Sequence, residues 1–139
     1  MSKQHSSVRA YGILIHDDAV ALVRSSNPQH QPPLWWLPGG GIDFAESPEE
    51  TLVREFKEET GLSVGDPTLF SVTSDVRSRD NGDRIHTVRI IYTVRWIGGE
   101  LTHEIHGTTD HAAWYPLAAL DQLNLAEYAR TAIQAVVRK

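Results

Sequence analysis

One stretch constrains the fold of this chain more than any other: residues 40–62, which read GGIDFAESPEETLVREFKEETGL. Ser47 is a good N-cap, because its hydroxyl accepts from a free backbone N–H of a first helical turn. Pro48 suits the next position, where its missing N–H costs nothing. Glu50 stands three residues after Ser47 and completes a capping box. Gly61 can adopt the left-handed conformation that ends a helix. These residues predict a helix over Pro48–Thr60, entered from a loop at residues 39–46.

On that helix Glu55, Glu58 and Glu59 fall at i, i+3 and i+4, which brings their carboxylates close together. Leu52, Val53 and Phe56 form a neighbouring apolar stripe, expected to face a core. Like charges at such spacing cost roughly 0.2–0.5 kcal/mol per pair on an exposed helix. A hard cation reverses that penalty, and Mg²⁺ takes carboxylates, a carbonyl, waters and substrate phosphates. A plainer reading stands beside this one: a solvated acidic face with an ordinary Arg54–Glu58 ion pair.

The full spacing sets the stretch apart from an acidic surface helix. Gly40 is followed after five residues by Glu46, then after seven by Arg54-Glu55-Phe56, then by Glu58-Glu59 and Gly61-Leu62. This resembles the signature box of the Nudix hydrolases, which cleave diphosphates linked to a nucleoside or another group. Phe56 departs from the aliphatic residue usual there but is still a hydrophobe. The resemblance implies an α/β/α sandwich, of α/β or α+β class, with a mixed sheet between helices. It implies Mg²⁺ as cofactor, with Mn²⁺ as a substitute. It also implies Glu55 and Glu59 as main metal ligands, Glu58 close behind them, and Gly39 as a carbonyl ligand. Arg54 would orient a glutamate through an ion pair, Glu46 would support the loop, and Arg24 and Gly40 would lie against substrate. The general base stays open among Glu58, Asp110 and His111, and Asp110-His111 reads equally well as a capped turn.

The rest of the chain reads as scaffold. Residues 8–15 and 19–24 predict strands joined by a tight hairpin at His16-Asp17-Asp18. Residues 25–33 are rich in turn formers. Trp35-Trp36-Leu37 predicts a short strand with one tryptophan in the core and the other at the site. Residues 67–77 and 84–96 predict long strands, and Asn81-Gly82 between them is a hairpin signal. Arg77, Arg79, Arg84 and Arg89 lie on these strands and the turn joining them, within reach of phosphates or of solvent. Residues 112–117 predict a final strand and residues 120–137 a mostly helical segment, with Asn124 as its N-cap or as a partner for a purine edge. Phe44 and one tryptophan are candidates to stack on a base. The spacing of His103, His106 and His111 matches no standard zinc motif.

The 139 residues suit a single domain, with residues 1–6 as a flexible tail. The net charge of −5 gives no basic field for duplex nucleic acid, so no stable nucleic-acid complex is expected. The absence of cysteine excludes disulfides and thiolate chemistry. With no membrane-length apolar run and no signal-like N-terminus, the expectation is a cytoplasmic protein, monomer or homodimer, acting on a small nucleotide. Within the resemblance, Arg77 stands where ADP-ribose hydrolases often carry proline. Ser78-Arg79 stands where dinucleoside polyphosphate hydrolases often carry tyrosine. That leaves a MutT-like conversion of a nucleoside triphosphate, oxidised ones included, to monophosphate and pyrophosphate. The alternatives are a nucleotide-sugar or ADP-ribose pyrophosphatase and a non-catalytic nucleotide-binding regulatory module.

Overall fold

The computed structural model describes residues 2–102 and 109–138. The strands are β1 (Gln4–Ile13), β2 (Ile15–His16), β3 (Ala19–Ser25), β4 (Trp35–Trp36), β5 (Gly39–Gly41), β6 (Leu62–Ser78), β7 (Arg84–Gly99) and β8 (Thr109–Pro116). Helix α1 spans Pro48–Thr60, and α2 spans Glu127–Val137. One sheet runs β5-β1-β7-β6; β1 and β7 are parallel and the other neighbours antiparallel. In the second sheet β3 pairs with β2, β4 and β8.

Side-chain alternation along β1 separates two cores. Ala10 packs with Leu52 and Phe56 of α1, and Tyr11 packs with Ala129, Ala132 and Ile133 of α2. The helices therefore cover opposite faces, and the architecture is the expected α/β/α sandwich, around one mixed and one antiparallel sheet. Leu52 and Phe56 are fully buried, each burial contributing about 1.5–3 kcal/mol.

Local signals are realised closely. Ser47 and Glu50 form both hydrogen bonds of the capping box, and Gly61 ends α1 at φ 82° with its N–H donating to the Lys57 carbonyl. Asp17 and Asp18 both have positive φ, as a two-residue hairpin turn requires. Asn81-Gly82 turns β6 into β7, with Arg79 N–H donating to the Asp83 carbonyl at 2.8 Å.

Several expectations are corrected. The supposed tail is part of β1 from Gln4 onward, because Gln4, His5 and Ser6 pair in parallel with Arg84, Ile85 and His86. Residues 39–41 are a short strand, not loop, because β1 offers Ala10 and Tyr11 as partners. Val53 is 40% exposed, since it lies past the edge of the stripe that Leu52 and Phe56 bury. The segment after β8 is a 3-10 turn (Leu117–Gln122) and then α2, interrupted where Trp35 pairs across the chain with Leu125. Asn124 caps no helix; its side-chain amide donates to the Pro32 carbonyl at 2.8 Å, and Ala126 is the N-cap of α2. Among the described residues no helix is long and apolar enough to cross a membrane. His103 and His106 lie outside the described residues.

Candidate active site

The junction of β5 with α1 assembles the acidic residues. Gly39 N–H donates to Oε1 of Glu59 at 2.8 Å, and the Thr109 hydroxyl lies 3.5 Å from Oε2. Gly40 faces Glu55: a Cβ at Gly40 would stand 2.7 Å from the Glu55 carboxyl carbon. Gly39 holds φ +149°, and a Cβ there would meet the Ala10 carbonyl oxygen at 2.1 Å. The glycines thus allow two carboxylates to rest on backbone.

Glu46 and Arg54 lock the entry of α1. Oε2 of Glu46 accepts from Arg54 Nε at 2.8 Å, and Oε1 accepts from Arg54 Nη2 at 3.0 Å and from the Thr51 hydroxyl at 2.6 Å. The Arg54 guanidinium, ahead of the Thr51 hydroxyl, holds the Glu46 carboxyl at about 2, below the usual range. Arg54 also donates to Glu55 at 3.1 Å and reaches Glu58 at 3.4 Å. The i, i+4 pair with Glu58 is therefore the looser of its contacts.

Glu59 is 7% exposed, and burial pushes its carboxyl up to about 8. Burial also raises Glu55, partly offset by Arg54. Each is neighboured electrostatically by Arg9 of β1, and Glu55 raises Glu59 further. Glu58 keeps half its side chain in solvent. The expected three-way convergence is therefore not met: among the described residues no three Asp, Glu, His or Cys side chains gather into a metal-holding group. Glu59 instead rests on Gly39 N–H, while Glu55 and Glu58 share Arg54 at 3.1 and 3.4 Å, with Glu58 half in solvent. Glu55 and Glu59 remain two desolvated carboxylates side by side. That donor set suits a divalent cation, which favours their charged forms.

A cleft of about 800 Å³ opens on the α2 face of the first sheet. None of the α1 glutamates lines it; Arg9, on its wall and electrostatically coupled to Glu55 and Glu59, joins the two features. Arg89, the parallel partner of Arg9, lies in the cleft with Nη1 2.5 Å from Asp75 and its guanidinium 4.4 Å over the Tyr128 ring. Its buried Nε–H has no acceptor among the described residues. Trp36 also lines the cleft, edge-on to His30, while Trp35 is buried, as the alternation of a strand requires.

Other candidates sit elsewhere. Arg24 Nε is 2.9 Å from Asp110, and its guanidinium lies over Trp35, which His111 meets edge-on. That group stands at the start of β8, next to Thr109, and not in the cleft. Asp110 is engaged by Arg24. Phe44 is fully exposed at the tip of the turn that Ala45 makes with φ 67°, so it does not reach the cleft as a stacking surface. Asn124 likewise lies outside the cleft lining. Sequence reasoning missed Arg9, although its place in the series His5, Ser7, Arg9, Tyr11 opposite Val8 and Ala10 marks a polar strand face.

The NUDIX domain family model matches residues 6–136. An ADP-ribose pyrophosphatase from Methanocaldococcus jannaschii is 37% identical over 97 residues, covering 70% of this chain and 55% of that protein. An 8-oxo-dGTP diphosphatase from Proteus vulgaris is 30% identical over 104 residues, covering 75% and 88%. The crystal structure of a MutT NUDIX hydrolase from Burkholderia pseudomallei superimposes with a TM-score of 0.76 at 27% identity, covering 93% of this chain and 96% of that one. The chain spans about half the length of several of the curated relatives it matches.

Proposed function

The chain belongs to the Nudix family, and from that premise we propose that it hydrolyses the phosphoanhydride of a nucleoside diphosphate linked to another moiety. The leading substrate is a nucleoside triphosphate, oxidised ones included, converted to monophosphate and pyrophosphate. One observation carries this reading: Glu55 and Glu59 rest against β5 at Gly40 and Gly39, and Arg9, paired with Gly41 of the same strand, lines a cleft of about 800 Å³.

Nudix hydrolases generally use divalent metal ions. Glu55, Glu59 and the Gly39 carbonyl are the proposed ligands here, with Mg²⁺ as the ion and Mn²⁺ as a substitute. When bound, the cation supplies neutralisation of the phosphate oxygens that otherwise repel a nucleophile. The chain's own groups do the rest. Arg54, anchored on Glu46, holds Glu55 in place. Arg9 presents its guanidinium to phosphate oxygens at the cleft end nearest the glutamates. Glu58, the least engaged of the three glutamates, is the proposed base. Water loses a proton to it and bonds to one phosphorus; the bond from that phosphorus to the bridging oxygen breaks, and the electron pair leaves with the other phosphate.

A second reading, ADP-ribose pyrophosphatase, is favoured by the similarity to the archaeal enzyme of that name. A third, a silent nucleotide-binding module, predicts binding without products. Incubating the protein and Mg²⁺ with nucleoside triphosphates, 8-oxo-dGTP, ADP-ribose and nucleotide sugars in ¹⁸O-water separates the three. A product phosphate carrying one ¹⁸O supports hydrolysis, and which product carries it identifies the phosphorus attacked and the leaving group. Tight binding with no products on the whole panel, with Mg²⁺ or Mn²⁺, overturns it.

A further inference from the structure

We infer that the far end of the cleft is a second phosphate-binding station, selecting nucleotides that carry a phosphate on the nucleoside sugar as well as the scissile pyrophosphate. This deepens the proposed function and rests on it for the position of the scissile group.

The strand register lays out the cleft floor in rungs. Arg9 pairs with Arg89 at the glutamate end, and His5 pairs with Ile85, which pairs in turn with Arg77. Four residues of strand separate those rungs, about 13 Å at ~3.3 Å per residue. Arg79 follows Arg77 by two residues, and both line the same cleft.

Arg77 and Arg79 place two positive side chains at that end of the cleft. Neither the Arg77 nor the Arg79 side chain makes an ion pair or hydrogen bond with a described residue. Of the acids near that end, Asp75 and Asp83 are already engaged, while Glu127, the residue before Tyr128, also lines the cleft. Asp75 is taken by Arg89 at 2.5 Å, and Asp83 accepts from Lys3 N–H at 2.8 Å and lies 3.8 Å from His5. Four arginines thus share one cleft with two acids, Asp75 and Glu127, in a chain of net charge −5, and of the four only Arg89 makes an ion pair with a described residue. Exposed arginines on a strand ordinarily point into water, but these share a concave wall with the Arg9–Arg89 rung. A bare pyrophosphate, only a few ångströms long, does not reach across. A phosphate on the sugar does, whether a 2′- or 3′-monoester or the diester that continues a short 5′-triphosphorylated oligonucleotide.

The test uses matched substrates that differ in that phosphate alone: ADP-ribose against its 2′-phosphate, dephospho-coenzyme A against coenzyme A, and ATP against the 5′-triphosphorylated diadenylate. The kcat/KM ratio is expected to favour the phosphorylated member of at least one pair by about 10-fold or more, as charge-assisted contacts allow. The pair that responds distinguishes monoester from diester. The ratio is expected to fall to within about 2-fold in Arg77→Ala/Arg79→Ala, to persist in part in the double lysine variant, and to be untouched by Arg84→Ala, which lies on the opposite face of β7. Dissociation constants for the same pairs, measured by calorimetry without metal, give the ratio even where no pair is hydrolysed, so a failed hydrolase reading and a failed distal site are told apart. No preference in the wild type by either measurement overturns the inference. So does a preference that survives the double alanine variant, or an equal loss on both members of a pair.

Discussion

Gly39 N–H donates to Oε1 of Glu59 at 2.8 Å, joining a three-residue strand to the end of a helix twenty residues later. Through this bond the backbone of β5 supports a carboxylate that is otherwise almost out of water. Removing its charge tests the site directly. Glu59→Gln and Glu55→Gln are each expected to cut turnover on the order of 10²-fold or more. Both are also expected to lose most of the rise in Tm that Mg²⁺ plus nucleotide gives the wild type. Near wild-type turnover in both variants sinks the assignment.

Gly40 separates activity from stability. The three atoms nearest its added Cβ all belong to the far end of the Glu55 side chain, which can swing aside. Gly40→Ala is therefore expected to lower stability by less than about 1.5 kcal/mol. Displacing Glu55 is expected to cut kcat by roughly 10-fold or more. Thermal melts alongside steady-state kinetics check this; unchanged kcat with a folded variant removes Glu55 from the site.

The Glu46–Arg54 clamp makes a pH prediction. The Glu46 carboxyl is held at about 2 in the fold, against an ordinary 4.5. Because the folded value is the lower one, the clamp stabilises fully above pH 4.5 and is lost as pH falls toward 2. Wild type is expected to exceed Glu46→Gln in stability at pH 5–7, with the two converging near pH 2. Urea midpoints followed by circular dichroism across that range decide it, and parallel curves rule the clamp out.

Phe44 gives the opposite expectation. Fully exposed and outside the cleft, it contributes no stacking surface. Phe44→Ala is expected to leave KM within about 2-fold and stability within roughly 0.5 kcal/mol. A KM rise of 10-fold or more would show that the turn folds over the substrate.

Which features were legible follows from the range of the interactions behind them. Ser47, Pro48, Glu50 and Gly61 bound α1 through hydrogen bonds a few residues apart, so their spacing fixes both ends. Asn81-Gly82 is local in the same way. Val53 shows the limit: periodicity marks a stripe, but how wide a strip of it the sheet covers depends on residues elsewhere. Arg54 has a legible partner in Glu58, yet its firm contacts are with Glu46, which the turn at Asp43-Phe44-Ala45 carries back to it.

The sequence by itself determined the helix, its caps, its acidic face and the strand pattern, because each depends on the next few residues along the chain. Tertiary structure decided the rest. Parallel pairing of β1 with β7 set Arg9 beside Arg89 across eighty residues of chain, and burial against β5 left Glu59 desolvated while Glu58 stayed in water. Pairing partners and solvent exposure are properties of distant segments meeting, and no local spacing encodes them.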